Sequence, residues 1–152
     1  MATPKTIILS VNDVNGNYLP TREANASEIV TPGDVVGLDS SGELTHQANT
    51  VLWHGYVVVE SEYALESSTV SAIDDTYAAD ERAFYVKPRR GDVGYLWITD
   101  GETIAIGDYL VMGNDTGKLV ERTTEGLELV VGIALEATSP SGANGRCRVE
   151  FV

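Results

Sequence analysis

One passage of this chain occurs twice, and that repetition constrains the fold more than any other feature. Glu28-Ile-Val-Thr-Pro-Gly33-Asp34-Val-Val-Gly-Leu38-Asp-Ser-Ser-Gly42-Glu-Leu44 returns as Glu102-Thr-Ile-Ala-Ile-Gly107-Asp108-Tyr-Leu-Val-Met112-Gly-Asn-Asp-Thr-Gly117-Lys-Leu119. Each copy runs through an apolar lead-in, a Gly-Asp turn, a short apolar strand, a polar turn ending in Gly, and a Leu. Each is followed by a Gly inside a hydrophobic run, Trp53-His-Gly55-Tyr-Val-Val-Val and Leu129-Val-Val-Gly132-Ile-Ala-Leu. Such a unit is a β-hairpin with a return strand, and two copies make one small all-β domain. None of the repeated positions is a strong nucleophile, base or metal ligand, so the repeat reads as scaffold.

The remaining punctuation agrees. Thr6–Val11, Val35–Leu38, Val51–Glu60, Phe84–Pro88, Gly94–Thr99 and Arg146–Val152 read as strands, with Val51–Glu60 the strongest by β-branched and aromatic content. Residues 64–83 alone have helical character, with Asp75 or Thr76 placed to cap a short turn from Tyr77 to Arg82. About ten short strands at even spacing predict a β-barrel or β-sandwich-like, β-tulip-like domain. Residues 1–27 differ from the rest of the chain. After Val11 they are polar, rich in turn formers and without period, and they read as an extended N-terminal arm on a single domain spanning 28–152. Within that domain the hairpin repeat occupies 28–60 and 102–135.

Charge narrows the partners. The net charge is -13, with 2 basic and 13 acidic residues in 1–81 against 8 and 10 in 82–152. A chain this acidic is repelled by nucleic acid and by anionic lipid. Four cations, Arg82, Lys87, Arg89 and Arg90, form its one local basic cluster. They suit either an interface with acidic groups of a neighbouring subunit or solvated protection of a strand edge. Cys147 is the sole cysteine, which excludes an intramolecular disulfide and suits synthesis in a reducing cytoplasm. The N-terminal apolar stretch is too short for a signal peptide.

Motifs for chemistry fall short of their requirements. Gly113-Asn-Asp-Thr-Gly117-Lys118 is one residue short of a phosphate loop, and Leu119 stands where a magnesium-binding hydroxyl is needed. Arg90-Gly91-Asp92 matches an integrin-binding tripeptide but shares the Gly-Asp turn found in the repeats. His46 and His54 with one distant Cys do not make up a zinc ligand set, and the acidic pairs Asp74-Asp75 and Asp80-Glu81 lack EF-hand spacing. The hairpin spacing is similar to that of biotinyl and lipoyl carrier domains, but Lys118 lacks the flanking residues that mark their modified lysine. The expectation is no enzyme, no cofactor and no metal.

The order of elements from Glu28 to Val152 resembles the capsid decoration, or cement, proteins of tailed phages. The resemblance is carried by Val30-Thr-Pro-Gly-Asp-Val-Val36, the Gly55 strand, Pro88-Arg-Arg-Gly-Asp92 leading to Gly94-Tyr-Leu-Trp97, Ile106-Gly-Asp-Tyr-Leu110, Gly132-Ile-Ala-Leu135 and Arg148-Val-Glu-Phe-Val152. It implies a homotrimer on the outer surface of a mature virion head, made in the host cytoplasm. Its partner would be the major capsid protein lattice, at or near threefold positions, which it would clamp against the pressure of packaged DNA. It further implies an arm lying along neighbouring coat subunits, here through Thr6, Ile7, Ile8, Leu9, Tyr18 and Leu19, and subunit contacts through Arg82, Lys87, Arg89 and Arg90. The alternative is a surface-binding module, an adhesin or carbohydrate-binding decoration, for which exposed faces of Trp53, Trp97 or tyrosines would be the mark.

Overall fold

The computed structural model describes residues 4–11, 19–61, 71–123 and 129–152. Eleven strands are present among them: β1 (Ile8–Ser10), β2 (Arg22–Asn25), β3 (Val35–Leu38), β4 (Leu44–Thr45), β5 (Tyr56–Val59), β6 (Arg82–Val86), β7 (Val93–Ile98), β8 (Tyr109–Met112), β9 (Leu119–Glu121), β10 (Val130–Ala134) and β11 (Gly145–Phe151). A 3-10 turn at Ala72–Asp74 is the one helical element described. The all-β, barrel-like fold expected from the sequence is what the chain forms.

The strands make two sheets of the same plan. In the C-terminal half the order is β7-β11-β10-β8-β9, and β9 pairs back onto β7, so five strands close into a barrel. In the N-terminal half the order is β2-β6-β5-β3-β4. There, a parallel bridge between Ala26 and Leu44 draws β4 back beside the end of β2. Each strand of the five-stranded N-terminal sheet thus has a counterpart in the other, β2 with β7, β3 with β8, β4 with β9, β5 with β10 and β6 with β11; β1, which adds to β7 as a sixth strand, has none. The lesser contacts match as well. Val30 bridges Tyr77 in one half, and Ile104 bridges Thr138 in the other. Glu28 accepts the His46 N–H at 2.8 Å, and Glu102 accepts the Glu121 N–H at 3.0 Å. The duplication seen in the hairpins therefore extends through both halves, from 22 to 151.

The Gly-Asp turns explain how each hairpin is entered. Gly33 and Gly107 lie at φ +97 and +93, a conformation that type II turns require in third position and that glycine adopts without strain. The Asp carboxylate then accepts the N–H of the turn's first residue, Thr31 at 2.8 Å and Ala105 at 2.7 Å. Arg89-Arg90-Gly91-Asp92 is a third such turn, with Gly91 at φ +88 and the Arg89 N–H on Asp92 at 2.7 Å. All three dock alike. The glycine N–H donates to a strand carbonyl, of Val58, Ala134 or Phe151, and that residue's N–H returns a bond to the Asp carbonyl.

One hydrophobic core runs through both halves. It includes Val35, Leu44, Val57 and Val58 from the first, and Leu96, Ile98, Leu110 and Leu119 from the second. Gly132 faces β11 so closely that an added Cβ would strike Val149 and the Glu150 carbonyl. Across the junction, Trp53 stacks on Phe151 with ring centroids 6.2 Å apart.

Three expectations are corrected. The run Val51–Glu60 is strand only over Tyr56–Val59. Gly55 turns it aside at φ +87, and the preceding backbone is held by side chains instead of a ladder. The buried Gln47 amide accepts the His54 N–H at 3.0 Å and donates to the Leu52 carbonyl, while His54 Nδ1 accepts the Leu38 N–H. The capped turn over Tyr77–Arg82 does not form, because the Tyr77 backbone exchanges two hydrogen bonds with Val30 and is committed to that bridge. The helical reading of 64–70 lies outside the described residues. Finally, the described part of 1–27 is not an arm apart from the domain. β1 pairs with β7, β2 pairs with β6, and Ile7, Leu19 and Ala26 are core residues. A polar, aperiodic sequence hid this, since Arg22–Asn25 becomes a strand through its partner and not through its own pattern.

Candidate interaction surface

Pairing with β6 brings Arg22 of β2 beside the segment that follows Val86. Arg22, Lys87 and Arg89 line a cleft of about 300 Å³ walled by Leu19, Pro20 and Pro88. The Lys87 ammonium also lies 5.8 Å from the centre of the Tyr56 ring. Of the four cations expected at an interface, Lys87 and Arg89 meet here. Arg90 is exposed in the neighbouring turn. Arg82 stands apart, its guanidinium 3.2 Å from Glu23 of the adjacent strand. Arg22 was not singled out in the sequence, because only the β2–β6 register brings it to Lys87.

The residues expected to touch a lattice divide by burial. Thr6 is exposed, its hydroxyl donating to the Ile8 carbonyl. Ile8 and Leu9 are half-buried on β1, while Ile7 is fully buried and its N–H donates to Glu60 at 3.0 Å. Leu19 is buried, and Tyr18 lies outside the described residues. Ile8, Val11, Leu19, Val59 and Val86 line a second groove of about 340 Å³, between β1 and the N-terminal sheet.

Both indoles are engaged inside the fold. Trp53 Nε1 donates to the carbonyls of Val36 and Tyr56, and Trp97 Nε1 to that of Pro32. The Arg146 guanidinium covers the Trp97 ring at 3.9 Å, with only 6% of its side chain exposed. It donates to Asp74 at 2.7 Å and to the carbonyls of Pro32 and Ile73. Cys147 is buried beside it, and burial pushes its thiol up to about 11. Among the described residues no group of three or more His, Cys, Asp or Glu side chains could hold a metal ion. No helix among them is long and apolar enough to cross a membrane. Exposed apolar side chains occur at Ile106, Tyr109 and Leu135 around one end of β8 and β10, and at Ile29, Leu52 and Leu129 elsewhere.

No known family model matches the chain, and no curated protein matches it by sequence. Its fold is similar to that of the N base of the head fibre protein gp8.5 of bacteriophage phi29, with a TM-score of 0.57 and 15% identity. The match covers 89% of this chain and 95% of that one, so it embraces both sheets. At that identity the likeness is one of fold.

Proposed function

We propose that this protein is a structural component of a tailed-phage virion, attached to the outside of the head, and that it stabilises the mature capsid as a cement protein. The observation that carries this reading is the shared fold, nearly end to end, with the base of a head fibre. The architecture suits the task. One sheet closed into a barrel, and a second whose ends approach through the Ala26–Leu44 bridge, limit the free edge and so discourage uncontrolled strand pairing at high local concentration. Many copies on a lattice make modest contacts sufficient, because attachment is multivalent.

In this reading the protein is a homotrimer at or near threefold positions. The Arg22, Lys87 and Arg89 cleft, with Arg90 beside it, receives acidic groups of a neighbouring copy, and the partly exposed segment from Thr6 through Ile8 and Leu9 meets the major capsid protein. The surface-binding alternative is disfavoured by the two tryptophans, which are half-buried and each engaged on one face within the chain, Trp53 by Phe151 and Trp97 by Arg146.

Light scattering after size exclusion tests the oligomer: about 49 kDa, three times 16.3 kDa, is expected, and a trimer that Lys87→Glu with Arg89→Glu leaves intact would count against the interface. Capsid attachment is tested by cosedimentation with mature heads that lack decoration. Binding that is lost in Thr6→Asp with Leu9→Asp supports the β1 contact. Absence of binding to any head would refute the cement reading. Truncation of 1–27 is unsuitable, because it removes Ile7, Leu19, Ala26 and all of β2 from the fold.

A further inference from the structure

His46 sits where the two halves meet, and both of its ring nitrogens face carboxylates. Nε2 lies 3.0 Å from Asp34 Oδ2, and Nδ1 lies 3.3 Å from Glu28 Oε2. A neutral imidazole has one N–H and can donate to only one of them, whereas an imidazolium donates to both. Asp34 makes the demand acute. Its side chain is 2% exposed, its Oδ2 already accepts the Thr31 N–H, and its Oδ1 has no hydrogen-bond donor among the described residues. A carboxylate so buried is costly unless positive charge stands beside it. The charged groups facing the ring are Glu28 and Asp34 from its own half and Lys118, 3.9 Å from Asp34 Oδ1, from the other. Burial opposes charging of His46. The hydrogen bond and charge of Asp34, with the charge of Glu28, outweigh burial and Lys118, and the net direction is upward from 6.5.

The position of the ring gives this charge a mechanical role. Val35, next to Asp34, donates its N–H to the Gly117 carbonyl of the β8–β9 turn at 2.8 Å. Gln47, next to His46, accepts the Asp115 N–H of the same turn at 3.1 Å. The ring itself packs on that turn so tightly that a Cβ on Gly117 would meet both the imidazole and the Asp34 carboxylate. Glu28, Asp34, His46 and the β8–β9 turn thus form one joint between the N-terminal hairpin and the C-terminal barrel.

We propose that His46 is a pH-sensitive latch between the two halves. Charged, it bridges Glu28 and Asp34 and holds the β3–β4 hairpin against the β8–β9 turn; neutral, it releases one carboxylate and the joint opens more readily. The affinity of His46 for its proton is higher in the folded chain than in the unfolded one. Its contribution is therefore complete below about pH 6.5 and is lost as pH rises through the folded-state value. The latch is tight in acid and loosens toward alkaline pH.

The test combines NMR titration of the two imidazoles with native-state hydrogen exchange at the Val35 and Asp115 amides, corrected for intrinsic rate. It uses the full chain and His46→Gln, and His54→Gln assigns the signals. His46 should titrate above about 6.5. Protection of both amides should fall over the same interval, about tenfold for each unit by which the value is raised, and should be level in His46→Gln. A titration at or below the ordinary value, or protection that stays level through it in the full chain, would overturn the proposal. If His46→Gln does not fold, coincidence of the two midpoints in the unaltered chain decides the matter.

Discussion

Leu119 pairs in parallel with Ile98, and this single register closes the C-terminal sheet into a barrel. Leu44, the residue that ends the first copy of the repeat, makes the corresponding parallel bridge to Ala26. Both leucines are fully buried. Each hairpin therefore ends in a side chain that belongs to the core and a backbone that belongs to the closing seam.

Loss of either side chain should be felt through the core. Leu119→Ala and Leu44→Ala are each expected to cost about 2–5 kcal/mol, from lost burial plus the cavity left behind. Urea unfolding at fixed pH measures this. Leu38→Ala, at a half-buried strand end, is the comparison and should cost less.

The two Gly-Asp turns of the repeat predict graded effects. Gly107 lies at φ +93 with open space around the missing Cβ, so Gly107→Ala should cost about 1–3 kcal/mol from backbone strain alone. Asp34→Ala should cost more than Asp108→Ala. Asp34 is 1% exposed and serves both Thr31 and His46, whereas Asp108 is half-buried and serves the Ala105 N–H. Thermal unfolding of the three variants gives the order.

Arg146 ties Trp97 of β7 to Pro32 of the first turn and to Asp74. A lysine keeps the charge but lacks the planar fork that serves an aromatic face and several acceptors together. Arg146→Lys is expected to cost about 1–3 kcal/mol through carbonyls left unpaired. A change in Trp97 fluorescence should accompany it.

Cys147 is buried with its thiol pushed up to about 11, so little thiolate exists at neutral pH. Folded protein should be inert to a disulfide reagent, and one equivalent should react after unfolding. Stoichiometric labelling of the folded chain would show that β11 opens.

The hairpins were legible because their determinants are local. A Gly at positive φ, an Asp that caps its own turn and a run of β-branched residues each act within a few positions, so Thr31–Leu38 and Ala105–Met112 could be read directly. Arg89–Asp92 carried the same signal, but only its hydrogen bonds to Phe151 identify it as a third copy of the docked turn. The strand β2 was not legible, since Arg-Glu-Ala-Asn has no strand pattern and owes its form to β6. Val51–Gly55 misled in the opposite direction. Its residues favour strand, yet the Gln47 amide and the Gly55 dihedral hold it in another shape.

The candidate surface divides in the same way. The run from Arg82 to Arg90 stood out by composition, but the cleft needs Arg22, brought from far along the chain. His46 was visible only as a histidine without enough partners for a zinc ligand set. Its two carboxylates come from Glu28 and Asp34, and the lysine beside them from the other half. The sequence by itself determined the strands with strong local signals, the turns that enter the hairpins and the duplicated unit, because those interactions span few residues and cost little loop entropy. The tertiary structure alone decided which strands close each sheet, how far the duplication reaches and which charges share a buried joint. Those depend on registers between segments tens of residues apart, where pairing and burial override local preference.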